Sequence, residues 1–182
     1  MTKLATLHNA LFDWLDRQSG FILPTLARFT FAAVLLVYFW KSAATKLGDG
    51  FFGILFPSDG AYVQIFPRAM EAAGYDSSQL GVFHWAVALA GTWAEFILPA
   101  LIVIGLLSRL ASIGMIGFIL MQSATDVIGH GASDPQTLGA WFDGLSGSLI
   151  LDQRLLWITV LLIIVVKGAG PLSVDRIMGR LA

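Results

Sequence analysis

The chain has 182 residues, 57% of them hydrophobic and 13% charged, with a formal net charge of −1. An ordinary soluble domain is about 45–50% apolar and about 25% charged, so a mean hydropathy of +0.77 excludes a soluble enzyme and equally a disordered chain. The charge balance leaves no electrostatic footprint for nucleic acid, and the absence of cysteine removes thiol relays, Cys-ligated zinc and iron–sulfur clusters.

Residues 3–18 (KLATLHNALFDWLDRQ) put Leu4, Leu7, Leu11, Trp14 and Leu15 at helical spacing, with Lys3, Asp13, Asp16 and Arg17 elsewhere. The pattern predicts an amphipathic helix, lying either on the cytoplasmic membrane interface or against the rest of the protein. A helix needs about 20 mostly apolar residues, with a range of about 17–25, to cross the hydrocarbon core. Four stretches qualify, 23–47, 83–107, 109–128 and 151–167. A signal peptide does not fit the first, because some twenty residues precede it and Lys41 and Lys46 stand where small cleavage-site residues belong. Ser108-Arg109 joins the second and third as a tight antiparallel hairpin. The expected fold is a single all-α membrane domain over 1–182. It is a four-helix transmembrane antiparallel bundle with an N-terminal interfacial helix.

Lys3, Arg17, Arg109, Lys167, Arg176 and Arg180 flank one side of the spans, whereas loops 48–82 and 129–150 carry only Arg68 against six acidic residues. The positive-inside rule then puts both termini in the cytoplasm and both long loops outside. The 48–82 loop is too apolar (FFGILF, AYVQIF) for plain coil and predicts a short helix near 61–73 on the outer surface. Trp14, Trp40, Trp85, Trp141 and Trp157 fall near span ends as interface belt residues, while Trp93 is nearer mid-span, where it would line a pocket or simply pack.

Charged groups at mid-membrane cost roughly 2.5–3.5 kcal/mol on insertion scales, so they need partners. Glu95 lies midway along the second span, with Ala88, Gly91 and Thr92 before it and Leu98 and Pro99 after it on one face. Small residues let another helix approach, and Pro99 cannot donate to the Glu95 carbonyl. A polar pocket inside the bundle is the expectation. Arg28 and Lys46 lie about five helical turns apart on one face of the first span, each displaced roughly 13 Å axially from Glu95. Arg28, whose fork suits a carboxylate, is the expected partner. On the third span Gln122, Thr125 and Asp126 share a face, and His130 would continue the row. Lys46, Asp126 and His130 should then gather near the outer helix ends. Asp126 and His130, a carboxylate and a histidine at i, i+4, are weak metal-ligand candidates, too few to hold a metal. A purely structural network holding the helices in register accounts for these charges equally well.

Three scattered histidines exclude a bis-His haem bundle, and the chain holds no HExxH and no membrane-embedded nucleophile with a base. What survives is a quinone-binding or scaffold subunit, a small proton-coupled carrier using Glu95, or a structural protein; none of them requires catalysis by this chain alone. No cofactor is required by the residues; a quinone is the candidate such a pocket could take, through Glu95, Arg28 and Trp93. The lipid bilayer is the primary partner, with a redox protein on loops 48–82 and 129–150, or a second copy, as further candidates.

The succession LARFTFAAVLLVYFWKSAATKL, TWAEFILPALIVIGLLSRLASIGMIGFILMQSAT and KGAGPLSVD resembles the DoxX-like family of small bacterial membrane proteins. The resemblance covers the four spans. It rests on Arg28, Lys46, Glu95, the turn with Arg109, and the exit Gly168, Gly170, Pro171, Ser173 and Asp175. It implies a four-helix bundle in the bacterial inner membrane. Some relatives are subunits of a thiosulfate:quinone oxidoreductase and others look like membrane partners of redox enzymes. The exit also reads physically: Gly168 caps the fourth span, Pro171 blocks its continuation, and Ser173 N-caps a last short helix with Asp175, Arg176 and Arg180.

Overall fold

A computed structural model describes residues 2–179. Among these the chain is helical, with no β-strand. The helices are α1 (Lys3–Phe31), α2 (Val37–Ala44), α3 (Asp59–Ile65), α4 (Pro67–Ala72), α5 (Val82–Ile104), α6 (Ser108–Ala124), α7 (Leu151–Lys167) and α8 (Val174–Ile177). Arg180 lies outside the described residues.

The amphipathic N-terminus and the first apolar stretch are not separate elements. A π-helical turn over Ala32–Leu36 fuses α1 and α2 into one rod from Lys3 to Ala44, about 63 Å long at 1.5 Å per residue. Beyond the buried Pro24, the buried residues of this rod are Ala27, Phe31, Leu35, Phe39 and Ala43. A strict spacing of four drifts about 40° per step on a 3.6-residue helix, and the wide π turn takes up that drift. Leu4, Leu7, Leu11 and Trp14 are exposed, so the segment does not pack on the remainder of the protein.

Three helical stretches are long and apolar enough to cross a membrane, namely Lys3–Ala44, Val82–Ile104 and Ser108–Gly129. The fourth, α7, has 17 residues, about 25 Å. These helices share one core of Phe31, Phe39, Ile102, Met115, Ile119, Leu161 and Ile164, all fully buried. Neighbours run in a ring, with α2 on α5, α5 on α6, α6 on α7 and α7 on α1.

The turn between α5 and α6 falls at Gly105–Leu107, so Ser108 and Arg109 belong to α6. Gly105 and Leu107 both have positive φ, and a side chain at Gly105 would collide with Ser173 and Arg28. The expected single outer helix near 61–73 is two helices, α3 and α4. Pro67 opens α4 at a position where its missing N–H costs nothing. Tyr62 and Met70 from this pair pack on Ala88 of α5.

Candidate functional site

Glu95 is buried inside the helical assembly, 3% exposed, and its partner is Lys46. The ammonium Nζ donates to Oε1 at 3.1 Å and Oε2 at 3.0 Å. It also donates to Ser42 Oγ at 2.7 Å and to the Ser42 carbonyl at 3.2 Å. The expected Arg28 pairing is wrong for a local reason. Helix α2 ends at Ala44, so Lys46 sits in the following turn and is free of the helical path that would hold it a full 13 Å away.

Arg28 does different work at the opposite end. Its guanidinium donates to the carbonyls of Ile102 (3.0 Å), Val103 (2.5 Å), Ala169 (3.0 Å) and Leu172. It thereby satisfies the last carbonyls of α5 together with the chain leaving α7, where helix C-termini favour a cation. Beside it, the buried Asp175 carboxylate accepts from the Leu107 and Ser108 amides (2.8 and 3.0 Å) and from Ser108 Oγ, so it caps the start of α6 from across the fold. Ser173 N-caps α8 by accepting from the Arg176 amide, as its sequence position predicts.

A second ion pair was not legible beforehand. Arg154, near the start of α7, binds Asp126 Oδ2 at 2.5 Å and Ser123 Oγ at 2.8 Å. The one sequence signal was a cation, Arg154, near the start of the fourth apolar stretch. Asp126 lies in a π-helical turn, Thr125–Gly129, that extends α6.

Lys46, Glu95, Gln122, Asp126 and His130 all line one cavity of about 490 Å³, well within the 300–1,000 Å³ typical of small-molecule sites. Its walls are apolar or bare: Ala90, Gly91 and Ala94 of α5 face Gly114, Gly117 and Phe118 of α6. Ala90, Gly114, Gly117 and Met121 are exposed, so the cavity opens sideways between α5 and α6. A Cβ at Gly117 would meet nothing within 4 Å; that glycine keeps space open and does not serve a tight helix contact. Gln122 Nε2 reaches the Tyr38 hydroxyl at 3.3 Å, and the His130 ring meets the Gln64 carbonyl at 3.0 Å.

Two expected members are elsewhere. Trp93 points to another face of α5, where Nε1 donates to the Ile54 carbonyl at 2.9 Å, and Arg28 is in its carbonyl clasp. Asp126 and His130 are engaged by Arg154 and Gln64, and no group of three or more potential metal ligands gathers among the described residues. Comparison with family models, curated proteins and solved structures finds no match for the chain.

Proposed function

We propose that this chain is a DoxX-like, four-span protein of the bacterial inner membrane. Both termini are cytoplasmic, residues 3–18 continue the first span as the cytoplasmic end of the rod and do not lie flat on the interface as their pattern suggested, and the chain is a non-catalytic, quinone-linked subunit of a redox system. The observation that carries the reading is the sideways-opening cavity with the Lys46–Glu95 pair in its wall. An opening between two apolar helices admits a ligand that travels in the bilayer. A largely apolar slot with a few fixed polar groups at one end suits a ring bearing polar substituents on an isoprenoid-like tail. Exposed Trp141, Phe142 and Leu145 in the 129–150 loop offer an outer contact for a redox partner.

The fixed pair favours this reading over a proton-linked carrier. Both Glu95 oxygens face one lysine, so the two charges form a neutral unit suited to orienting a ligand. Solvent extraction of protein purified in mild detergent tests the proposal. Co-purifying quinone is expected in the wild type and is lost in Gly117→Phe, whose ring fills the slot. Quinone-free wild-type protein that also fails to bind an added short-chain quinone overturns it.

A further inference from the structure

Between the rod and α3 the chain makes an eleven-residue loop from Leu47 to Pro57. Its neck is closed by an antiparallel bridge between those two residues and by the Ser58 amide donating to the Lys46 carbonyl at 2.9 Å. Its tip is the segment Phe51–Phe56 (FFGILF), and no charge lies between Asp49 and Asp59. Phe51, Phe52 and Phe56 are 91%, 63% and 62% exposed.

This tip is laid against α5. The Ile54 carbonyl accepts from Trp93 Nε1, and the Leu55 carbonyl accepts from Trp85 Nε1 at 3.1 Å. Trp85 and Trp93 lie about 5 and about 16 Å, respectively, along α5 from its outer end. The carbonyls of Gly50, Phe52 and Gly53 are taken inside the loop by the amides of Gly53, Leu55 and Gly48. Glycine is required at Gly48 and Gly53, because a methyl on either collides with backbone of the loop itself. Five of the six carbonyls from Gly50 to Leu55 are thus satisfied without water, while three phenylalanines project outward. Non-helical backbone survives at membrane depth only when its polar groups are paired within the protein.

We propose that Phe51–Phe56 is a membrane-inserted wedge whose aromatic side chains contact the acyl chains of the outer leaflet. This surface belongs to lipid, not to a water-borne partner. The inference rests on the membrane-spanning reading of α5 and is independent of what the cavity binds.

The chain has no cysteine, so single cysteines report cleanly. Phe52→Cys, Ile97→Cys on the exposed face of α5 and Glu71→Cys on α4 are labelled with bimane and reconstituted into phosphatidylcholine nanodiscs. Quenching by doxyl-labelled phosphatidylcholine is compared with quenching by iodide. Expected are lipid quenching at Phe52 and Ile97, several-fold above that at Glu71, and the reverse order with iodide. Iodide quenching of Phe52 equal to that of Glu71, with Ile97 still lipid-quenched, overturns the wedge alone. Protection of Phe52 from both quenchers assigns the tip to a protein contact and overturns it as well. Iodide access at Ile97 overturns the spanning reading and the wedge together.

Discussion

At Lys46 and Glu95 two opposite charges are withdrawn from solvent, their side chains 5% and 4% exposed. Breaking such a pair from one side leaves a bare buried charge and costs about 3–5 kcal/mol, whereas replacing both with apolar groups is close to neutral. Lys46→Met and Glu95→Leu should each lower detergent-solubilised stability by that order, and the double variant should recover most of it. Additive losses in the double-mutant cycle would show that the two side chains do not depend on each other. Asp175 is a different case, an acceptor for three donors at the start of α6. Asp175→Ala leaves buried amides unpaired and should cost about 1–3 kcal/mol, measured by thermal unfolding. Asp175→Asn, which keeps an acceptor, should cost less.

Among the elements, the 129–150 loop contains a turn organised by one local charge. Asp134 accepts from the amides of Gln136 and Thr137 at 3.1 and 2.8 Å. Hydrogen bonds from Thr137, side chain and then backbone, hold its carboxyl below the usual aspartate range. A depressed folded-state pKa gives a contribution that is fully present above the unfolded value of about 3.9 and disappears as pH falls through the lower folded value. The Gln136 and Thr137 amide resonances should therefore titrate together, with a midpoint below the ordinary aspartate value. A midpoint at or above it would remove the hydrogen bonds as the cause. In the rod, the regular four-residue spacing of Ala27 to Ala43 was present in the sequence, but it reads as an ordinary apolar helix. The π turn that reconciles it with the core is a response to the neighbours it packs against.

For the whole molecule, the cavity between α5 and α6 carries the proposed function, and Gly117 is the position that separates cavity space from structural packing. Gly117→Phe should abolish ligand retention and leave thermal stability close to wild type, because its side chain enters free volume. A loss of stability comparable to that of Glu95→Leu would mean that the space is closed in solution. Gly114→Phe should be the contrasting case, since a Cβ there already meets Leu98 within 3.3 Å.

Hydropathy, length and the asymmetry of Lys and Arg belong to the sequence alone, because transfer from water depends on composition over a window of residues. They defined the helical class and the apolar stretches with Glu95 inside one of them, and the Gly170-Pro171-x-Ser173 exit defined the Ser173 cap. The partner of Glu95, the carbonyl clasp of Arg28, the Arg154–Asp126 pair and the sideways cavity were decided by tertiary structure. Periodicity fixes the face a residue occupies on its own helix. The distance between two charged side chains depends also on where each helix stops and how the helices cross. Lys46 lies two residues beyond such a stop, and those two residues moved the ion pair from one end of the first apolar stretch to the other.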